Sequence, residues 1–114
     1  MDRKKELKET YRQMKPDMGI FGIFQETSMT MHLETTPDLK SRLNRARFEL
    51  EFLSHKNRNL QAAWKLASGQ GFEFKTLEVL PYDAEGERED YTEDLAVLKM
   101  LWEERMISQG YSFF

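Results

Sequence analysis

The ionisable residues of this 114-residue chain are rich in charge and poor in nucleophiles. No cysteine is present, which removes a thiolate nucleophile, a thiolate metal site and a disulfide scaffold together. Two histidines, His32 and His55, are too few for a histidine-rich zinc site. The sequence contains no phosphate-loop motif, no GxSxG elbow, no HExxH pair and no short-range pair of carboxylates with a catalytic signature. What remains is a sharp division of charge. From Leu39 to Leu66 seven cations, Lys40, Arg42, Arg45, Arg47, Lys56, Arg58 and Lys65, face two carboxylates, Glu49 and Glu51, a balance of +5. From Glu78 to Met106 ten carboxylates face Arg88, Lys99 and Arg105, a balance of −7. A basic stretch of this kind can sit against phosphates, while the acidic one either faces water or supplies carboxylates to a cation. Two solvated helix faces are the plain alternative reading of the same charges.

The periodicity of the chain indicates which elements must position these groups. Asp2 to Met14 reads as a short charged helix with Leu7, Tyr11 and Met14 on one side, stopped before Pro16. Residues 1–17 are therefore taken as an N-terminal helical extension and 18–114 as the domain. Met18–Gln25 is apolar on both faces, as in a covered strand, and Met29–Leu33 alternates apolar with polar. A hairpin with the loop Glu26-Thr-Ser follows, and pairing Gln25 with Ser28 puts Phe21 opposite His32. Thr36 is the expected N-cap of the next helix, with Pro37 at its first position, where the missing N–H costs nothing. Leu39, Leu43, Ala46, Leu50 and Leu53 form its buried stripe, which sets Arg42, Arg45 and Glu49 along the flank and Arg42 at the edge of the core.

A second helix over Asn59–Ala67 buries Leu60, Ala63, Trp64 and Ala67 and is ended by Gly69 and Gly71. Phe72 to Leu80 alternates as a third strand, closed by Pro81, and Tyr82 to Glu89 reads as an exposed loop around Gly86. The last helix opens at Asp90, with Glu93 in capping-box spacing, and turns Leu95, Leu98, Leu101, Trp102 and Met106 inward. Lys99 and Glu103, four residues apart, share another face. The aromatic tail Gly110–Phe114 either packs back or frays. The expected fold is α+β: a small three-stranded, mainly antiparallel sheet flanked by helices.

Hydrophobic residues make up 39 % of the chain and aromatics 12 %, enough for a packed core and too much for a disordered one. The longest apolar run, Gly19–Phe24, is far below the ~18–20 residues that cross a bilayer, and the N-terminus lacks a signal-peptide apolar region. A soluble, cytoplasmic protein without membrane association is expected.

One layout draws the chemistry together. Gly19-Ile-Phe21 lies on one hairpin strand and His32-Leu-Glu34 on the next. Arg42 follows eight residues after Glu34, and His55 thirteen after that. Asn59–Trp64, the strand Phe72–Leu80 and a helix carrying Leu101-Trp102 come in order behind them. This layout resembles the GIY-YIG endonuclease superfamily over roughly Gly19 to Arg105. It implies a GIY-YIG-like fold and metal-dependent hydrolysis of a DNA phosphodiester. By this resemblance a tyrosine aligns or deprotonates water, an arginine stabilises the phosphate, and a glutamate on the last long helix holds one divalent ion, magnesium or manganese. Arg42 stands at the arginine position, where a planar fork of donors suits a phosphate. His55 is similar to a histidine some members carry, with a phosphate contact as the implied role and an ordinary loop residue as the alternative.

The departures are equally specific. Phe21, without a hydroxyl, stands at the first tyrosine position and is expected in the core. His32 stands at the second and can still act as a base near neutral pH. Glu34 replaces the last glycine and puts an anion where a phosphate approaches. Lys99 occupies the metal-binding glutamate's position and repels a cation. It is either solvated in contact with Glu103 or has its ammonium in the metal's place. Glu103 offers a substitute carboxylate displaced by about 6 Å along the helix. Three function classes follow. The first is a degenerate, catalytically impaired nuclease-like domain binding nucleic acid through Arg42, Arg45, Arg47, Lys56, Arg58 and Lys65. The second is an active metal-dependent endonuclease with His32 as base, Arg42 as phosphate clamp and Glu103 or Glu34 on the metal. The third is a protein-interaction module using the acidic helix and the aromatic tail.

Overall fold

The sequence Met18-Gly-Ile-Phe-Gly-Ile-Phe24 sends apolar side chains to both faces of a strand, and the fold is built around covering both. In the computed structural model, which describes residues 15–84 and 88–114, every residue from Met18 to Phe24 is buried. The elements in chain order are β1 (Met18–Gln25), β2 (Thr30–Thr36), α1 (Leu39–Glu51), α2 (Arg58–Ala67), β3 (Phe72–Leu80), α3 (Thr92–Ser108) and β4 (Ser112–Phe113). The strand order is β3-β1-β2-β4. β1 is central and antiparallel to both neighbours, and β4 runs parallel to β2. On one face Met18, Ile20 and Phe24 meet Leu95, Leu98 and Met106 of α3, joined by Met31 and Leu33. On the other, Phe21 and Ile23 meet Leu39, Ala46 and Leu50 of α1 and Leu60 of α2. Phe21 is fully buried there.

The backbone of β3 lies so close to β1 that a Cβ on Gly19 would come within 2.1 Å of the Glu78 carbonyl oxygen. Glycine at that position follows from the approach itself. The β1–β3 register slips between Ile20 and Phe21, which pair with Glu78 and Thr76 and leave Leu77 as the extra residue of a bulge. Among the described residues no helix is long and apolar enough to cross a membrane.

Several expectations change in the structure. The sheet has four strands and is mixed, because the aromatic tail forms β4. Ser112 and Phe114 donate backbone N–H groups to Met29 and Met31, the Tyr111 ring packs edge-on to Phe24, and the Phe114 ring stacks on Phe72. The hairpin loop is four residues, with a 3₁₀ turn over Glu26–Ser28 and Met29 in the left-handed region (φ 52°). Gln25 therefore pairs with Thr30, and Phe21 sits opposite Glu34 instead of His32. A slip of two residues equals the pleat period, so the faces were assigned correctly despite the wrong partner. Thr36 is still in β2, and Asp38 caps α1 by accepting the Ser41 N–H at 3.2 Å. α1 ends at Glu51 and Leu53 turns left-handed (φ 58°), out of the buried stripe and into solvent.

α3 begins one residue later than expected, with Tyr91 at the cap position and the Asp90 carboxylate accepting the Thr92 N–H. Leu95, Leu98 and Met106 are buried on it, with Trp102 partly so, whereas Leu101 is 57 % exposed. At 3.6 residues per turn Leu101 lies about 100° around the helix from that stripe. The expected helix over residues 2–14, and the extension it defined, lie outside the described residues. Leu50→Ala should cost about 2–5 kcal/mol by opening a cavity under α1. Leu101→Ala should stay within about 0.5 kcal/mol. Urea unfolding of both variants beside the wild type tests this assignment of buried and exposed faces.

Candidate functional site

His32 and Glu34, two apart on β2, project from the same face of the sheet as Phe21, toward the first turns of α1. There Arg42 reaches back across them. Its Nε and Nη2 donate to the two oxygens of Glu34, the Nη2 bond at 3.2 Å, and its Nη1 donates to Glu49 at 2.7 Å. The guanidinium is thus held bidentately by one carboxylate and singly by another, all three side chains mostly buried. The two carboxylates raise the Arg42 pKa and keep it cationic. Burial pushes the Glu34 carboxyl up, but hydrogen bonds from His32 and Arg42 outweigh it and hold the pKa down at about 2.

The link between α1 and α2 brings in the second histidine. His55 is buried to 4 % exposure, with its ring edge-on to His32 at 5.3 Å between centroids. Its backbone N–H donates to Gln61 Oε1, and Gln61 Nε2 donates to the Leu50 carbonyl, which pins the link to the end of α1. Burial, and then the neighbouring His32, lower the His55 pKa and keep the ring neutral.

Asn57 decides which nitrogen carries each proton. As the N-cap of α2 it accepts the Leu60 N–H through Oδ1 at 3.1 Å, which turns its amide nitrogen the other way. That Nδ2 donates to His32 Nδ1 at 3.2 Å and to the Phe114 carbonyl at 3.4 Å, while the Asn57 backbone N–H donates to His55 Nδ1 at 3.0 Å. Both Nδ1 atoms are acceptors, so each neutral ring carries its proton on Nε2. The His32 Nε2–H donates to Glu34 at 3.0 Å. The His55 Nε2–H is buried and, among the described residues, has no partner. A buried donor without an acceptor is costly, and this one belongs to a cleft lined by Arg42, Arg45, Lys56, His32 and both glutamates. Three cations against two carboxylates leave that cleft formally +1 with the histidines neutral.

His32, Glu34 and His55 also present one ligand atom each within 4.8 Å of one another, a spacing that can hold a metal ion. Their hydrogen bonds do not fit magnesium or manganese. Both Glu34 oxygens are taken, a guanidinium faces the same carboxylate, and the available imidazole nitrogens carry protons. Such hard cations prefer several oxygen ligands, and this group offers one carboxylate.

Two solved structures share this architecture. The catalytic domain of the homing endonuclease I-TevI superposes with a TM-score of 0.64 at 20 % identity, over 83 % of this chain and 94 % of that one. An alanine variant of the catalytic domain of intron endonuclease I-TevI gives 0.66 at 20 % identity, over 86 % and 92 %. The chain has a GIY-YIG nuclease-like fold. No protein-family model and no curated protein matches its sequence.

On this GIY-YIG-like framework the structure gathers some expected residues and separates others. Arg42, His32, His55 and Glu34 form one cluster, with Arg45 and Lys56 at its rim. Arg47 lies over the Phe74 ring at 4.6 Å, in a neighbouring groove it shares with Lys65, and Arg58 is exposed at the start of α2. Lys99 and Glu103 line a smaller cleft with His32, Asn57 and Phe114, and they form no ion pair with each other or with another described residue. Asn57, Gln61 and the grip of Glu49 on Arg42 were not anticipated. The sequence signal for Asn57 was an amide three residues before Leu60, at cap spacing.

Acidification tests the cluster. A carboxylate pKa depressed in the folded state stabilises the fold above its unfolded value of 4.5 and is lost as pH falls toward about 2. A depressed histidine pKa likewise gives stability present above 6.5 and lost below it. Denaturation midpoints should therefore fall more steeply in acid for the wild type than for Glu34→Gln below pH 4.5, and than for His55→Gln just below pH 6.5. Two-bond proton–nitrogen correlation spectra recorded above pH ~8, where free imidazole is neutral, should show both rings as the Nε2–H tautomer.

Proposed function

We propose that the chain is a catalytically impaired GIY-YIG nuclease-like domain that binds nucleic-acid phosphates without a metal. The supporting observation is the distribution of donors in the cleft. Arg42, at the position of the phosphate-binding arginine in the resemblance, is neutralised by Glu34 and Glu49. The cleft's unpartnered donor is the buried His55 Nε2–H, and its accessible charges are Arg45 and Lys56. Arg45 and Lys56 suit a phosphate arriving from solvent, with the buried His55 Nε2–H beneath them, whereas a phosphate reaching Arg42 must displace a glutamate. Arg58 adds an exposed cation at the start of α2, and Arg47 with Lys65 lines a separate groove.

The same geometry argues against the hydrolytic reading. In-line attack on phosphorus needs an activated water, free cationic donors and a Lewis acid. Here His32 already donates its Nε2 proton to Glu34, Phe21 has no hydroxyl and is buried, and Lys99 brings positive charge to the place of the metal-binding carboxylate. The endonuclease reading keeps one favourable observation: Glu103, half-buried and without an ion-pair partner among the described residues, shares a cleft with His32. Magnesium or manganese belongs to that reading, and DNA is the partner the fold suggests for both.

Fluorescence anisotropy against labelled DNA over a salt series should show log K falling linearly with log salt, by about 0.9 per phosphate contact on duplex. Arg45→Ala and Lys56→Ala should each weaken binding and flatten that slope by about one. Supercoiled DNA should remain intact with magnesium or manganese. Metal-dependent nicking that disappears in His32→Ala and Glu103→Gln would establish the endonuclease instead. Binding that is absent, or insensitive to Arg45 and Lys56, would leave the protein-interaction module standing.

A further inference from the structure

The outer face of α1 and its C-cap residue carry two aromatic rings that the core does not use. Phe48 and Phe52 are 57 % and 63 % exposed, and their rings lie 4.4 Å apart at an interplanar angle of 30°. The stripe that holds α1 to the sheet, Leu39, Ala46 and Leu50, runs along the opposite side of the helix. Helix geometry puts both rings within about 60° of Arg45, and one turn separates Phe48 from Arg45 and Phe52 from Glu49. Arg45 is itself 76 % exposed and reaches toward Glu49 at the rim of the cleft that holds the unpartnered His55 donor. The order across this surface is therefore buried imidazole donor, exposed cation, aromatic pair.

From this order we infer that Phe48 and Phe52 form a stacking platform for an unpaired base, so that the ligand is single-stranded nucleic acid or a strand opened at one base. The inference rests on the phosphate-binding reading of the cleft. A nucleotide is a phosphate joined through one sugar to a flat π surface, and the surface matches that sequence of groups. Anions are drawn to Arg45 and Lys56, and the base is left over the rings one helical turn away. A paired base keeps its faces inside the duplex stack and cannot use the platform. Stacking tolerates any base because every base has a π face, so the preference concerns strandedness and not sequence. A hydrophobic protein partner could cover two phenylalanines equally well. The adjoining cations and the buried donor favour an anionic strand instead.

The test compares labelled oligo(dT) with a blunt duplex of the same length, on the full chain. The wild type should prefer oligo(dT). Phe48→Ala and Phe52→Ala should each lower oligo(dT) affinity by about 5- to 100-fold, the range of one lost base stack, with duplex affinity within about twofold. Phe52→Leu keeps an apolar contact with Phe48 but has no ring, and should lose affinity as Phe52→Ala does, whereas Phe52→Trp should retain it. Bound oligo(dT) should also quench the emission of the Phe52→Trp indole beyond any change in the wild type. Circular dichroism and urea unfolding of each variant check that the fold is kept. A duplex preference, equal losses on both ligands, or no loss with salt-dependent binding intact would overturn the platform and leave the phosphate reading in place. Absence of binding to either ligand would overturn both. Variants that bind normally but lose self-association in sedimentation would assign the rings to a protein contact.

Discussion

β1 has no solvent side, and most of the architecture answers that constraint. A strand with apolar groups on both faces needs a layer on each, so α3 must cover one and α1 with α2 the other. It also needs partners on both edges, which the β2 and β3 ladders supply. The close approach of β3 admits only glycine at position 19. The cleft inherits its shape from this arrangement. β2 is carried beside β1 with alternate side chains turned toward α1, and the helix that buries Phe21 and Ile23 is the one whose flank delivers Arg42 and Glu49. Packing and chemistry share α1, one on each side of the helix.

Within the cleft the polar groups form a closed circuit with one opening. Glu34 receives from both Arg42 and His32, Glu49 takes another Arg42 donor, and Asn57 ties both imidazoles to the cap of α2. A carboxylate buried in this way is stable only because it is paired, which is why its proton is so hard to add. Reciprocally, the arginine spends its charge inside the protein. Glu34 thus supplies Arg42 with an internal anion. Among the described residues, the buried donor left outside the circuit is the His55 Nε2–H.

Much of this was legible in the residues, and the gaps have physical causes. Alternation in Met29–Leu33 and Phe72–Leu77 and the four-and-three spacing from Leu39 to Leu50 gave strands and helix their correct faces, whereas the bulge at Leu77 puts Leu80 on the same face as Leu77. Spacing alone aligned His32, Glu34, Arg42 and His55 with a known layout, and the structure brings those four together. The hairpin register was off by two because Glu26-Thr-Ser contains no residue that dictates a turn, and Met29 accepts a left-handed backbone that few would assign to methionine. The basic run looked continuous in sequence, yet helix rotation sends Arg45 and Arg47 to different grooves. Leu101 has the composition of a core residue and the wrong angle. Asn57 escaped notice because its sequence signal is that of a cap, and only three-dimensional proximity makes a cap into the arbiter of two tautomers.

β4 is the thinnest part of the sheet, two residues paired along one edge with no further strand beyond it among the described residues. Such segments open at the low end of the local-unfolding scale, long before the core strands part. Opening here does not stay at the edge, because the Phe114 carbonyl is one of the two acceptors of the Asn57 amide nitrogen and its ring rests on Phe72. Fraying there would release Asn57 from one of its anchors while its bond to Leu60 held it at the helix cap. Opening at β4 would therefore loosen the ordering of His32 while β1 stayed closed, and amide exchange at that edge would report on the cleft.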